Sequence, residues 1–255
     1  RPTYSDQIKH MMKQYLPQSV IPWVESGQER FLSELREVTV LFISTGLPEA
    51  QLVSFGSADH LNVVRQVLVA TQSAVVFFGG EINKFMLDDK GSIIIAVFGL
   101  PPKAHQDDAL RGMFAALSIL YSLRQLSMGG ETLNPAIGLT TGRAFCGGVG
   151  SVKRKEYTVL GDSVNLAARL MQKARAMLEV SDPSMSDIPI ICDSTTMYLA
   201  SSHITFKVVE SVKVKGKTAP IEAFRPFALG YNRIYPTLGM CHEQLVLAPP
   251  ALLFG

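Results

Sequence analysis

Residues 156–170 read EYTVLGDSVNLAARL and predict a strand, a tight turn and a helix in that order. The run from Tyr157 to Leu160 is short, β-branched and aromatic, which favours a strand. Gly161 permits the turn, and either Asp162 or Ser163 can cap the helix that follows. The stretch therefore predicts a strand–turn–helix unit whose helix begins at a polar turn.

Two polar side chains share one face of this predicted helix. Asn165 and Arg169 are four residues apart, so they lie one turn apart on the same side. An amide beside a guanidinium near a helix start offers several hydrogen-bond donors to an anion such as a phosphate. Exposed Asn and Arg are also common on helices that bind nothing. The spacing alone therefore leaves a solvated surface open as the alternative.

The composition excludes several classes of protein. The chain has 255 residues, of which 47% are hydrophobic and 18% charged, enough for one large packed domain. A net charge of +2 gives no reason to expect nucleic-acid binding. The 3 cysteines are widely separated and the 5 histidines lack metal-ligand spacing, so neither a disulfide framework nor a zinc site is predicted. We recognise no signal peptide and no apolar run of bilayer length, so no transmembrane segment is expected.

Hydrophobic periodicity predicts the other elements of the domain. In chain order they are a strand at Glu37–Ser44, a helix at Ala58–Phe78, a hairpin of strands Glu81–Leu87 and Ser92–Phe98, a helix at Asp107–Leu126, strands at Ala136–Thr141 and Arg143–Val149 joined near Gly142, a strand at Ile190–Cys192, a helix capped by Asp193, and strands at Ile204–Val214 and Pro220–Phe227. The order β-α-β-β-α-β followed by further αβ elements is a split βαβ pattern. It predicts an α+β, ferredoxin-like fold with an antiparallel sheet and helices mainly on one face.

Several stretches in this order resemble class III nucleotide cyclases. They are LREVTVLF at 35–42, NKF at 83–85 with GS at 91–92, GLTTG at 138–142 with GGVG at 147–150, the stretch 157–169, and VKGK at 214–217. The residues SELR at 33–36 and FGLPP at 98–102 are most similar to the soluble, bicarbonate-responsive type of adenylyl cyclase. In that type, two cyclase halves precede a large ATPase-like region, and YPTLG at 235–239 resembles the start of the linker to it.

The resemblance implies three segments and a partner. These are an N-terminal connector arm at 1–34, a cyclase domain at 35–228 that is similar to the second, C2-like half, and a C-terminal linker tail at 229–255. It also implies a second cyclase half, as a tandem domain or a partner chain, and a downstream ATPase-like region. A cytoplasmic location, with cilia or organelles as places of association, follows from the same resemblance.

The chemistry implied by the resemblance is conversion of ATP to 3′,5′-cyclic AMP and pyrophosphate. In the family, two aspartates of one half hold Mg²⁺ or Mn²⁺. The matching positions here carry Ser44 and Ser92, and a neutral hydroxyl is a poor ligand for a hard dication. Asp88 and Asp89 lie in the adjacent hairpin turn, where Asp is common for local reasons. We therefore predict no metal ligand in this chain and expect the ions to be held by the partner half.

The positions that contact the nucleotide in the family, unlike the metal-binding positions, match the family pattern. By the resemblance, Asn165 orients the ribose and Arg169 stabilises the negative charge that develops on the α-phosphate. The same resemblance implies nucleotide-binding roles for four further residues: Lys84 at the adenine edge, Thr158 as acceptor from the adenine amino group, Val159 through its backbone, and Lys215 at the terminal phosphates. The alternative interpretation, in which Lys84 only shields the edge of a strand, stays open.

Two readings of the function remain at this point. The first is half of a two-domain adenylyl cyclase. The second is a degenerate cyclase-homology domain that acts as a non-catalytic dimerisation or scaffold module in a larger assembly, and a nucleotide-sensing domain is a more remote third. The missing aspartates fit both of the first two. Because a scaffold needs none of Asn165, Arg169 and Lys84, their presence favours the enzyme.

Overall fold

We describe residues 6–13, 15–28, 33–48, 58–88, 91–151, 155–180, 188–212 and 220–229 of a computed structural model. The helices are α1 (Asp6–Lys13), α2 (Ile21–Glu25), α3 (Ala58–Phe77), α4 (Asp108–Leu123), α5 (Asp162–Val180) and α6 (Ser194–Ala200). The strands are β1 (Glu34–Ser44), β2 (Glu81–Asp88), β3 (Gly91–Phe98), β4 (Ser127–Met128), β5 (Glu131–Thr132), β6 (Ala136–Gly150), β7 (Lys155–Leu160), β8 (Ile190–Asp193), β9 (Ile204–Val212) and β10 (Ile221–Leu229). Asp89, Lys215 and the tail beyond residue 229 lie outside the described residues.

One large sheet organises the domain. Its strand order is β2-β3-β1-β6-β8-β10-β9, and β7 pairs with β6 beyond this path. Strand β1 runs antiparallel to both β3 and β6, whereas β6 and β8 are parallel. The order of the first four core strands, β2-β3-β1-β6, is that of a split βαβ unit. The predicted ferredoxin-like α+β fold is thus confirmed.

Both faces of the sheet are covered, which explains the continuous apolar run in β1. Leu41 and Ile43 belong to the larger core cluster, to which α3, α4 and α6 contribute. Val38 and Val40 point the other way, into a second cluster completed by residues of β7 and α5. Three helices therefore cover one face and α5 with β7 covers the other, as the prediction of helices mainly on one face requires.

The structure differs from the sequence prediction at several glycines and at helix ends. The predicted break near Gly142 is wrong, because β6 is one strand in which Gly142 pairs with Val38. The stretch predicted as a loop after α4 contains the short β4–β5 ladder, with positive φ angles at Gly129 and Gly130 in its turn. The helix predicted to reach Leu126 ends at Leu123.

The cap predicted for α5 is also wrong. The helix begins at Asp162, so Asp162 and Ser163 both lie inside its first turn. The Ser163 hydroxyl donates instead to the carbonyl oxygen of Arg143 on β6, at 3.4 Å. This contact ties the start of α5 to the sheet.

No helix in the part of the chain that the structure describes combines the length and the apolar character needed to cross a bilayer.

Asp193 caps α6, as predicted, and anchors a buried polar network. Its Oδ1 accepts hydrogen bonds from the backbone amides of Thr196 at 3.0 Å and Thr141 at 3.3 Å. The hydroxyl of Thr141 lies 2.9 Å from those of both Thr39 and Thr196. Burial raises the pKa of Asp193, and the hydrogen bonds from Thr196 and Thr141 lower it by less. The network joins β1, β6 and α6 on the face of the sheet that α6 covers.

We expect Asp193→Ala to lower the free energy of unfolding by about 1–3 kcal/mol, because it removes a cap and leaves the Thr141 amide without its acceptor. Asp193→Asn keeps an acceptor oxygen and should cost less. Since burial raises the pKa of Asp193 in the folded state, the folded protein binds the carboxyl proton of Asp193 more tightly than the unfolded chain does. The stability of the wild type should therefore fall relative to Asp193→Asn as pH rises from about 4 through the folded pKa. Urea unfolding over a pH series measures both effects; equal stability of the alanine and asparagine variants would contradict the role of the cap.

Candidate active site

Helix α5 carries both predicted catalytic side chains. Strand β7 leads into it through Gly161, and the amide of Asn165 donates to the Gly161 carbonyl oxygen at 3.2 Å, which closes the first turn. The Asn165 side chain is exposed and that of Arg169 is half-buried. Because free backbone amides and the positive end of the helix dipole lie in this first turn, an anion is favoured beside Asn165.

The position of α5 depends on a close contact with β6. A Cβ atom at Gly138 would overlap the carbonyl oxygen of Ala167 and the amide nitrogen of Met171. Ala167 itself has no exposed surface. The helix backbone therefore lies directly on the strand backbone, and the smallness of Gly138 and Ala167 sets where Asn165 and Arg169 project.

The ends of β1 and β3 form a cluster of hydroxyl groups. Ser44 is 5% exposed and Ser92 is 2% exposed. The Thr45 hydroxyl donates to the Ser92 hydroxyl at 2.9 Å, and the Thr45 amide donates to the Ser92 carbonyl oxygen at 3.0 Å. The hairpin predicted here is present, with Asp88 paired to Gly91.

A cleft of about 460 Å³ opens beside these serines. Its described lining contains one carboxylate, Glu131, together with Asn134 and, from the C-terminal half of α5, Arg175 and Leu178. In the described residues, no three His, Cys, Asp or Glu side chains come together as a metal site would require. Hard dications prefer several carboxylate oxygens, so the described residues of this cleft do not fit the pair of divalent ions that the resemblance implies.

The predicted base-binding residues meet where β2 approaches β7. We call this region, formed by Asn83, Lys84, Glu156, Tyr157 and Thr158, the β2–β7 seam. A bulge between Ile82 and Lys84 leaves Asn83 out of the register, and Lys84 pairs with Ile95 of β3. The Asn83 amide then donates to the Tyr157 carbonyl oxygen at 3.4 Å, and Lys84 Nζ lies 3.0 Å from Glu156 Oε1. Bulges of this kind re-aim side chains near functional sites.

Thr158 and Val159 follow in β7. Thr158 is 4% exposed, and its hydroxyl has no hydrogen-bond partner among the residues described here. Val159 pairs with Cys146 on β6 and buries its side chain in the second core cluster. Lys215, the remaining predicted residue, lies outside the described residues. Lys84 and Thr158 are thus in one seam, and Asn165 and Arg169 follow on the next element.

The N-terminal arm packs at the start of the same seam. Ser19 is 3% exposed and Val20 is 8% exposed. Burial raises the pKa of Glu81, the first residue of β2, and hydrogen bonds from the backbone amides of Gln18 and Ser19 lower it by less. Burial also raises the pKa of Tyr157 to about 12. The arm therefore helps to enclose the seam from one end.

Sequence reasoning assigned no role to Glu156, although one signal was available. Glu156 and Thr158 are two residues apart on one strand, so their side chains project to the same side. A carboxylate there is a ready partner for Lys84. The missing information was the spatial approach of β2 to β7, which brings Lys84 and Glu156 together although β3, α4 and β6 lie between them in the sequence.

Comparison with known proteins identifies related domains. Residues 86–225 match the family described as Adenylate and Guanylate cyclase catalytic domain. The protein named Adenylate cyclase type 10 of Rattus norvegicus is 32% identical over 254 residues, which cover 93% of this chain and 14% of that protein. Its namesake in Mus musculus is 32% identical over 167 residues, covering 65% of this chain and 10% of that protein. This chain thus spans a small part of the length of these relatives.

Solved structures show the same fold. A bacterial light-regulated adenylyl cyclase superposes with a TM-score of 0.68 at 22% identity, covering 94% of this chain and 66% of that chain. The guanylyl cyclase Cya2 superposes with a TM-score of 0.59 at 25% identity, covering 79% of this chain and 96% of that chain. Cyclases named for either nucleotide therefore share this architecture.

Proposed function

This chain belongs to the adenylate and guanylate cyclase catalytic domain family, and from that premise we propose that it forms one half of a two-domain adenylyl cyclase. In the proposed reaction, the 3′-oxygen of ATP attacks the α-phosphorus. The new bond closes the 3′,5′-cyclic ring, the bond from the α-phosphorus to the bridging oxygen breaks, and pyrophosphate leaves. The proton of the 3′-hydroxyl is released.

One observation carries this proposal, namely the separation of two groups along α5. Asn165 is in the first turn of the helix, whereas Arg175 and Leu178 line the serine cleft. Arg175 is ten positions beyond Asn165 on the helix, which is roughly 15 Å along the axis. A single chain therefore does not place the donor-rich end of α5 beside the hydroxyl cluster at Ser44 and Ser92. This distance supports a site completed by a second half.

Asn165 and Arg169 are the proposed catalytic residues of this half. Arg169 would donate to the non-bridging oxygens of the α-phosphate, where negative charge grows as the fifth bond to phosphorus forms. Asn165 would hold the ribose so that its 3′-oxygen lies in line with the leaving oxygen. Fixed donors of this kind commonly contribute about 3–4 kcal/mol to lowering a barrier.

The divalent ions belong to the partner half in this proposal. Mg²⁺ or Mn²⁺ would activate the attacking hydroxyl and balance phosphate charge, but the hydroxyl groups of Ser44, Thr45 and Ser92 do not fit such ions. The partner is a second cyclase half that bears both aspartates, as a tandem domain or another chain. The curated relatives are several times longer than this chain, which leaves room for that half and for an ATPase-like region.

The preference for ATP rests on the β2–β7 seam. Lys84 offers ammonium donors for an acceptor on the adenine edge, and Thr158 has a hydroxyl that can accept from an amino group. Relatives named as adenylate cyclases support the same choice. The serines at positions 44 and 92 fit this function and also fit the competing one, a non-catalytic dimerisation or scaffold module, whereas a scaffold needs none of Asn165, Arg169 and Lys84.

We expect this chain to be inactive alone and active when combined with a cyclase half that carries both metal aspartates. In that half, the residues matching Asn165 and Arg169 should be substituted, so that all activity comes from the composite site. Cyclic AMP and pyrophosphate should then appear together in the presence of Mg²⁺ or Mn²⁺. The chain carrying Asn165→Ala serves as the control and should lose most of the activity.

Two results would contradict the proposal. Cyclic AMP production by the isolated chain at the rate of the mixture would show that no second half is needed. Association of the two halves without ATP turnover would favour the scaffold. Size-exclusion chromatography of the mixture separates failure to associate from failure to catalyse.

A further inference from the structure

Strand β6 presents a row of small residues to α5. Gly138, Thr140 and Gly142 alternate along the strand and therefore face the same side of the sheet. A Cβ atom at Gly138 would overlap the backbone of α5, and one at Gly142 would meet the Ser163 Cβ at 3.6 Å. Thr140 lies between these two glycines and is buried. Its hydroxyl group is therefore close to the backbone at the start of α5.

The Thr140 hydroxyl donates a hydrogen bond to the carbonyl oxygen of Ser163 at 2.8 Å. In an α-helix, such a carbonyl oxygen also accepts from the amide four residues further on, and its two lone pairs allow both bonds. The bond from β6 is thus additional to those that form the helix. Thr140 pairs with Val40, which lies with Val164 in the second core cluster. Since valine would suit these apolar surroundings, the bond explains the hydroxyl better than packing does.

From this contact we infer that Thr140 is a positioning residue for Asn165, because it holds the first turn of α5 in a fixed place on the sheet. The inference rests on the proposed function, since it concerns the amide that would hold the ribose. Asn165 is two residues beyond Ser163 in the same turn. The Ser163 hydroxyl also donates to the Arg143 carbonyl oxygen at 3.4 Å. Ser163 is therefore bonded to β6 through both its carbonyl oxygen and its hydroxyl.

The first turn of α5 needs a restraint of its own. The close contact at Gly138 holds the helix further along, at Ala167 and Met171. Helix ends fray more easily than helix interiors, and Asn165 is nearer to the end than this contact. A displacement of about 1 Å at a reacting group can lower a rate about 100-fold. The bond from Thr140 therefore acts where a small movement would matter most for Asn165.

Thr140→Val removes the hydroxyl and keeps the shape of the side chain. In the assembled cyclase, we expect kcat to fall about three- to tenfold while the KM for ATP changes by less than about twofold, because the ribose still binds but is held less accurately. Thr140→Ser keeps the hydroxyl and should retain most of kcat. Thr140→Ala is smaller and also lacks the hydroxyl, so it should resemble the valine variant. Steady-state kinetics of these three variants separates the hydroxyl from the volume of the side chain.

Thr141→Val is the matched control, because it makes the same substitution at the next residue of β6, which faces the other side of the sheet. The Thr141 hydroxyl lies 2.9 Å from those of Thr39 and Thr196. Its loss should lower the midpoint of urea unfolding at least as much as Thr140→Val does, and should leave kcat unchanged.

A double-mutant comparison tests whether Thr140 acts through Asn165. In an Asn165→Ala background, Thr140→Val should have no further effect on the residual kcat. In an Arg169→Lys background, its effect on kcat should persist. A full further loss in the Asn165→Ala background would contradict a role that acts through Asn165.

NMR of the chain alone checks the hydrogen bond without a partner half. The Ser163 carbonyl and the Val164 amide belong to one peptide group, so a bond to the carbonyl oxygen polarises that amide. The Val164 amide proton should move upfield in Thr140→Val and stay near its wild-type position in Thr140→Ser. The amide of Lys173, in a later turn of α5, should not move in either variant.

The outcomes separate this inference from the proposed function. If the wild-type assembly makes no cyclic AMP, the proposed function fails and the positioning role fails with it, whereas the Val164 signal still shows whether the bond exists. If the wild-type assembly is active and Thr140→Val keeps its kcat, only the positioning role is overturned. An equal loss of kcat in Thr141→Val, or a Val164 signal that ignores the substitution, would overturn it as well.

Discussion

Arg169→Ala is expected to lower kcat of the assembled cyclase by about 100- to 1,000-fold while the KM for ATP changes by less than about threefold. The guanidinium is half-buried on α5, one turn beyond Asn165. In the proposed reaction it meets charge that is greatest in the transition state, so its loss should affect kcat more than substrate binding. Steady-state kinetics at saturating metal provides the measurement.

Two further variants sharpen this prediction. Arg169→Lys keeps the charge but loses the planar fork of donors, and should recover only part of the rate. Arg65→Ala removes an exposed arginine of α3, which covers the opposite face of the sheet, and should leave kcat unchanged. An equal loss in Arg65→Ala, or a loss confined to KM in Arg169→Ala, would contradict the catalytic role.

Gly138→Ala is expected to lower the free energy of unfolding by about 3 kcal/mol or more. The added Cβ would overlap backbone atoms of Ala167 and Met171. Neither contact is the flexible end of a side chain, so α5 must shift away from β6. Urea unfolding measures the loss, and kcat should fall in parallel because α5 carries Asn165 and Arg169.

Gly142→Ala provides a control on the same strand. A Cβ atom there would meet only the Ser163 Cβ, at 3.6 Å, which is an ordinary contact. We expect its effect on the free energy of unfolding to be within about 1 kcal/mol. Similar destabilisation by the two substitutions would mean that strand propensity, rather than the seating of α5, explains the result at position 138.

Local patterns were sufficient for much of this fold. The apolar run of β1 predicted a central strand, and Asp193 predicted the cap of α6. The spacing of Asn165 and Arg169 predicted that they share a helix face. In each case the deciding interactions lie within a few residues or follow from burial on both sides of a strand, so the sequence records them directly.

Other features depend on contacts between distant residues. Gly142 suggested a break because glycine is common at turns, but its pairing with Val38 continues the ladder. The bulge at Asn83 and the Lys84–Glu156 pair arise from the approach of β2 to β7, which no periodicity reveals. Likewise, the cleft beside Ser44 and Ser92 became recognisable only when α5 was placed over the sheet.

If this domain binds a nucleotide as proposed, Thr158 sets stability and substrate binding against each other. Its hydroxyl is buried without a partner among the described residues, and such a group costs about 1–3 kcal/mol. Valine, which has nearly the same shape, would remove that cost from the empty protein and also remove the proposed acceptor for the nucleotide. Selection for heat resistance alone would therefore tend to erase this group, whereas selection for turnover would keep it.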